Sequence, residues 1–376
     1  MDHHPIPLAS PDISDDDRER VLAVLNGTAL SLGPVLPAFE AALAEAAGTR
    51  FAVAVNSGTS ALHLCVKASG IREGDEVITS PFSFVASANC ILYERAIPRF
   101  VDIDIDTYNI DATQIAEAVN ARTAAILPVH VFGRPCDMGA IGALAERHGL
   151  AVIEDACEAI GAKVDGFKIG GFGNSGAFAF YPNKQITTGE GGAVVTNDEN
   201  AARLCRSWRN QGRGEGDTWL QHLLLGYNYR ISDINCALGL SQLSRLDQIL
   251  EQRKLVAETY HQALACLPEV IRPRLDRGMS WFVYVIRLQD EFTRQQRDSI
   301  LGSLRREEIG CSCYFPPIHL QTYYREMFGF RPGDFPVTEQ VADRTIALPF
   351  FNKLTRDQVE IVTKALSNAI GKLKTR

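Results

Sequence analysis

One lysine, Lys184, stands in the stretch AFYPNKQITTGEGGAVV (179–195), between an apolar run ending at Tyr181-Pro182 and another beginning at Gly192. A lysine after a strand is usually a solvated charge. Here the flanking runs are too apolar for an exposed edge, and the glycines around Glu190 let backbone approach a bound ligand closely. An amine in an enclosed pocket is costly to keep charged, so its pKa falls and it becomes a usable nucleophile, which is what Schiff-base chemistry requires. A second candidate is Asp155 in LAVIEDACEAIGA (150–162), at the end of a run that reads as a fully buried strand. A strand-end aspartate commonly caps a helix. The sharper reading sets it against a cationic heteroaromatic nitrogen, the partner pyridoxal phosphate needs to keep its ring protonated as an electron sink. In AVNSGTSALHL (54–64) a strand runs into Gly58, Thr59 and Ser60 and straight into a helix, whose amides and hydroxyls form a phosphate cradle. In SPFSFVASAN (80–89), Phe84 follows another strand end, where it can stack on a planar ring. Each feature alone is ordinary. Cradle, aromatic, carboxylate and lysine nevertheless follow strand ends in that chain order, all serve one cofactor, and none needs a metal.

The elements that must position these residues alternate. Ser14 with Asp17 resembles a capping box, and Gly27 stops the helix that follows; a second helix closes at Gly48. From FAVAV (51–55) onward, uniformly apolar strands alternate with amphipathic helices as far as LAVIED (150–155). That rhythm predicts an α/β fold with a large, mostly parallel sheet covered on both faces and its site at the carboxyl ends of the strands. Beyond Lys184 the chain turns polar and Gly-rich (199–222), then reads as one long helix over about 232–266, and SWFVYVIRLQD (280–290) reads as a strand opening a second unit. The expected division is 1–250 for a large cofactor-binding domain and 251–376 for a smaller C-terminal α/β domain.

The bulk properties exclude several classes. In 376 residues, 46% are hydrophobic and 22% charged, so a large core forms without staples. A net charge of −7 argues against nucleic-acid or membrane-surface partners. Nine dispersed cysteines lack zinc spacing and read as buried thiols of a reducing compartment. The acidic start has no apolar signal-peptide core, and no run approaches spanning length. The expected location is cytoplasmic.

Taken together, SLGPVLPAFE (31–40), PVHVFGRPCDM (128–138), GYNYRISDINCALGLSQL (226–243), YFPPIHLQ (314–321) and the segments above resemble the DegT/DnrJ/EryC1/StrS family over nearly the whole chain. These are sugar aminotransferases with the type I (aspartate aminotransferase-like) pyridoxal-phosphate fold. The resemblance implies that Lys184 holds the cofactor as a Schiff base, Asp155 holds the pyridine nitrogen, Glu158 lies near the phenolic oxygen and Phe84 stacks on the ring. It implies that Gly58, Thr59 and Ser60 bind the phosphate. Asn228 would reach across a homodimer interface to the partner's phosphate with Arg230 close by, and His319 would border the sugar-nucleotide cleft. Three positions depart from the commonest pattern: Ala179 replaces a serine, Glu158 a glutamine and Gln211 a histidine. The implied reaction moves an amino group from L-glutamate to a nucleotide-linked keto-sugar, and TTGEGG is similar to the branch aminating C4 of 4-keto-6-deoxy sugars. Relatives that aminate C3 or a keto-inositol are the nearest alternative. Relatives that dehydrate sugars carry histidine in place of the lysine. A non-catalytic regulator would be expected to carry a DNA-binding appendage, which no segment supplies.

Overall fold

The computed structural model describes residues 5–214 and 221–374. The chain opens with α1 (Asp15–Leu25), where Ser14 and Asp17 form the expected reciprocal capping box, and α2 (Val35–Ala47), ended by Gly48 in the left-handed region. The alternating part supplies β1 (Phe51–Val55), α3 (Gly58–Ala68), β2 (Glu76–Thr79), α4 (Ala86–Tyr93), β3 (Ile97–Phe100), α5 (Ala112–Ala118), β4 (Thr123–Ile126), α6 (Met138–His148) and β5 (Ala151–Asp155). A small hairpin, β6 (Lys163–Val164) and β7 (Phe167–Lys168), precedes β8 (Ser175–Ala179) and β9 (Gly192–Thr196), which α7 (Glu199–Arg209) follows.

Seven of these strands form one sheet in the order β1-β9-β8-β5-β4-β2-β3. β9 runs antiparallel to both its neighbours, and the remaining pairings are parallel. Side chains alternate between two buried faces: Val53, Val55, Val77, Ile153 and Val194 pack into one core, and Ala52, Ala54, Ile78, Val152 and Val195 into the other. Two buried faces explain why the strands read as apolar throughout. Because β8 and β9 are adjacent and antiparallel, the segment joining them turns back at the carboxyl end of β8, and this turn carries Lys184. Asp155 pairs with Ala177 at the carboxyl end of β5, the next strand. The topology therefore brings lysine and aspartate to the same end of the sheet.

The expected long helix is two helices, α8 (Asp233–Ser244) and α9 (Leu246–Ala263), separated at Arg245, whose backbone (φ −111°, ψ 10°) leaves the helical region. Arg245 binds Asp17 at 3.0 Å and Asp12 at 3.5 Å, fixing the corner against the N-terminal segment. No glycine or proline marks this break, so periodicity ran through it. Along α9, Ile249 packs with the large sheet, whereas Val256 and Tyr260 pack in a C-terminal core. That core covers a three-stranded sheet of β10 (Val270–Ile271), β11 (Tyr284–Leu288) and β12 (Thr345–Leu348), with α10 (Arg294–Arg306) and α13 (Arg356–Lys374) against it. Between α10 and β12 lie α11 (Thr322–Phe328) and α12 (Pro336–Ala342). These pack back on the large sheet's edge: Ile318 and Tyr324 meet Phe100 and Ala88, and Asp102 caps α12 by accepting from the amides of Val337 and Thr338.

Candidate active site

A cavity of about 640 Å³ opens where the carboxyl ends of β5 and β8 meet the start of α3. Lys184 enters it from the β8–β9 turn, its side chain 13% exposed, with Nζ 3.5 Å from Glu158 Oε1 and 4.0 Å from the centroid of the Phe282 ring. The residues after it explain TTGEGG. Thr187 Oγ1 donates to Phe180 O and Thr188 Oγ1 to Glu190 O, so the hydroxyls satisfy backbone carbonyls of a turn with no regular ladder. Gln185 anchors the turn from below, its Nε2 donating to Glu158 O at 2.6 Å and Ser280 Oγ at 2.9 Å.

Asp155 is buried, and its two oxygens accept from Ser87 Oγ at 2.6 Å and the Cys157 amide at 3.1 Å. It forms no ion pair with a basic side chain among the described residues, and it lines the cavity. Glu158 Oε2 accepts the Phe132 amide at 2.9 Å. Burial pushes the Glu158 carboxyl above its ordinary value; the nearby Lys184 ammonium and the Phe132 amide oppose that shift without cancelling it. This has a consequence for stability. A carboxyl whose pKa is raised in the folded state contributes stability that is present below the unfolded value of about 4.5 and lost as pH rises through the raised value. Glu158→Gln removes that titration. The variant is expected to gain stability over the parent at neutral pH and lose the gain by pH 4, as read by paired denaturant melts; a gap independent of pH would contradict this account of Glu158.

The opposite wall is the start of α3. Gly58 and Thr59 line the cavity, and as the first helical residues their amides have no partner within the helix. Ser60 is not brought to the lining. Its amide is taken by Ser57 Oγ, which caps the helix, and its hydroxyl donates to Asn56 Oδ1 at 2.7 Å. Gly58 leaves no space: a Cβ there would sit 2.6 Å from the Ala179 Cβ and 3.2 Å from Cys157 Sγ. Ala179, where a serine is commoner, therefore closes directly on the cradle. Gly58→Ala is expected to cost about 1–3 kcal/mol of stability by overpacking, measured by denaturant unfolding; an unchanged midpoint would show that the wall yields.

Phe84 is 61% exposed at the cavity edge although the residues around it are buried. Residues 312–316 form a further wall that reasoning from sequence did not nominate, although YFPP with its paired aromatics offered a signal. Tyr181, Asn183, Glu190 and Ser87 were missed as well; the first three flank the lysine in sequence, and Ser87 lies three residues after Phe84. His319 is placed elsewhere than expected. It is fully buried, with Nε2 3.0 Å from Glu339 Oε1, and packs edge-on to Phe335 at 4.7 Å rather than lining the cavity. Glu339, twenty residues on, could not be paired with it from sequence. Asn228 and Arg230 also lie outside this chain's cavity; Arg230 Nη1 donates to Asn210 Oδ1 at 3.1 Å.

Comparison with known proteins agrees with this arrangement. A profile of the DegT/DnrJ/EryC1/StrS aminotransferase family matches residues 11–367. The spore coat polysaccharide biosynthesis protein SpsC of Bacillus subtilis is 37% identical, the match covering 98% of each chain. Among solved structures, Helicobacter pylori PseC, an aminotransferase involved in the biosynthesis of pseudoaminic acid, superimposes with a TM-score of 0.93 at 30% identity over 98% of this chain and 100% of that one. S. venezuelae DesV does so with a TM-score of 0.87 at 34% identity over 94% and 93%. The fold is that of the type I pyridoxal-phosphate transferases. The chain belongs to the DegT/DnrJ/EryC1/StrS family and is a pyridoxal-phosphate-dependent sugar aminotransferase. The residues present fit that cofactor: a buried carboxylate for the ring nitrogen, an amine within the same cavity, unpartnered amides for the phosphate, and an exposed aromatic face. No helix among the described residues is long and apolar enough to cross a membrane.

Proposed function

We propose that the protein transfers the amino group of L-glutamate to a nucleotide-linked keto-sugar, at C4 of a 4-keto-6-deoxy sugar, with Lys184 as the residue that holds the cofactor. The observation that carries this reading is the convergence of Lys184, Asp155, Glu158 and Phe84 on one cavity with the open amides of Gly58 and Thr59. Bound pyridoxal phosphate supplies an electron sink for charge developing at the donor's α-carbon. The chain's own groups do the rest. Lys184 Nζ would hold the cofactor, and the same amine would serve as general base for the proton on the donor's α-carbon and as the general acid that returns a proton to the acceptor's carbon. Asp155 would hold a proton on the ring nitrogen, a pairing that the burial of its carboxylate would strengthen. The amides of Gly58 and Thr59 would hold the phosphate, and Phe84 would offer an aromatic face to the ring.

Among the described residues the cavity lining contains one basic residue, Lys184, beside Asp155, Glu158 and Glu190. A donor carboxylate and a sugar diphosphate both require further cations. Arg230 and Asn228 sit on a segment next to the exposed Leu223 and Leu225, a surface suited to a second copy of the chain, and in a homodimer they would complete the partner's site. The C4 assignment rests on TTGEGG, and the names of SpsC and PseC favour a sugar acceptor. The test is to supply L-glutamate with dTDP-, UDP- and GDP-linked 4-keto-6-deoxy sugars, a 3-keto counterpart and a keto-inositol, and to identify the aminated product by mass and NMR. A C4-amino product supports the reading. Turnover only with the 3-keto sugar or the inositol overturns it.

A further inference from the structure

Beside the segment 226–230 lies a partly buried polar chain, centred on one buried histidine, that the reaction does not use. His63, on α3 and 2% exposed, faces the Glu94 carboxylate through Nε2 at 2.8 Å and the Tyr229 hydroxyl through Nδ1 at 3.0 Å. A carboxylate only accepts, so Nε2 carries the proton and Nδ1 accepts from the Tyr229 hydroxyl. Burial keeps this histidine neutral by pushing its pKa down, against the opposing pull of Glu94. Lys67 Nζ binds both oxygens of Glu94, at 3.1 and 3.0 Å, and neutralises it. Tyr227 stacks on Tyr229 at 4.9 Å and directs its own hydroxyl to Glu94 at 3.4 Å. Tyr229 is joined to the other end of the same helix. Its carbonyl accepts the Asn56 amide at 2.9 Å, and the Asn228 carbonyl accepts Asn56 Nδ2 at 3.3 Å. Asn56 Oδ1 in turn holds Ser60 Oγ, one residue beyond the two open amides.

These bonds close a ring: Asn56, Tyr229, His63, and back along α3 to Ser60. We infer that His63 and Glu94 are positioning residues that, through the Tyr229 hydroxyl, brace Asn56 and so set the angle at which the amides of Gly58 and Thr59 face the cofactor phosphate. The inference rests on the reading that those amides bind the phosphate. The ring lies beside the cradle rather than in it, since none of its side chains lines the cavity. Its effect is therefore on cofactor affinity, not on the chemical step.

The test uses the full chain, stripped of cofactor and titrated with pyridoxal phosphate by absorbance, with the melting temperature of each apoprotein as a second readout. Tyr229→Phe removes one neutral hydrogen bond and is expected to weaken cofactor affinity roughly five-fold while moving the apoprotein's melting point by no more than about 2 °C. His63→Ala should weaken it at least as much, and adding Tyr229→Phe to it should change nothing further, because the hydroxyl has already lost its acceptor. His63→Gln, which keeps a donor for Glu94 and an acceptor for Tyr229, should recover part of the loss. Thr59→Pro, which removes one of the two amides and is tolerated in the first turn of a helix, separates the two readings. If Thr59→Pro weakens binding and Tyr229→Phe does not, the bracing role is wrong and the cradle stands. If neither variant alters affinity, the phosphate reading itself is overturned. A fall in melting temperature with unchanged affinity in Tyr229→Phe marks the ring as merely structural and also overturns the inference.

Discussion

Lys184→Ala is expected to abolish amino transfer, lowering the rate by roughly ten-thousand-fold or more, while the protein remains folded. On the proposed mechanism two losses combine. The amine proposed to hold the cofactor covalently is gone, and so is the proposed base for the donor's proton, a role worth about a hundred- to ten-thousand-fold alone. Folding should survive because Lys184 lies in a turn whose geometry is set by Gln185, Thr187 and Thr188, not by the ammonium. Its removal leaves Glu158 without its cation at 3.5 Å, but a carboxyl already biased toward its neutral form can take up a proton. Circular dichroism and a melting curve check the fold; single-turnover kinetics with L-glutamate check the chemistry. A variant that retained more than about a tenth of the parent rate would remove Lys184 from the mechanism.

The second large effect is at Asp155. Asp155→Asn keeps the size of the side chain, and its amide oxygen can still accept from Ser87 or from the Cys157 amide. What it lacks is the negative charge proposed to hold a proton on the cofactor's ring nitrogen. Loss of that charge is expected to slow the donor half-reaction by about a thousand-fold, equivalent to about 4 kcal/mol of transition-state stabilisation, with a much smaller change in cofactor affinity. The split between rate and affinity is the informative readout. A strand-end aspartate that served only as a cap would lower the melting temperature and leave the rate of the surviving folded fraction unchanged.

Much of this was legible in the sequence because local and long-range constraints agree. FAVAV and LAVIED read as buried strands since both faces of the sheet are covered, and Asp155 and Lys184, singled out because they follow such strands in company with a glycine-rich turn and an aromatic, both line one cavity. The antiparallel direction of β9 was not legible: a five-residue apolar strand looks the same in either direction, and only the adjacency of β8 fixes it. The corner at Arg245 was missed because ion pairs to Asp12 and Asp17, distant in sequence, make it rather than a helix breaker. Two expected site residues have partners of the same distant kind. Ser60 looked available for phosphate until Asn56 and Ser57 were seen to occupy it, and His319 looked like a cleft residue until Glu339 and the surrounding phenylalanines enclosed it. Strand ends announce themselves in a sequence; pairings between distant loops do not.

The central claim is that one amine, that of Lys184, holds pyridoxal phosphate in this cavity. Reducing the purified holoprotein with borohydride, digesting it and locating the added mass tests that directly. The account predicts a visible band that borohydride removes and that L-glutamate also bleaches, with the reduced pyridoxyl group on the peptide containing Lys184 and on no other. A modification on a different lysine, or no trapped cofactor after pyridoxal phosphate has been supplied, would contradict it.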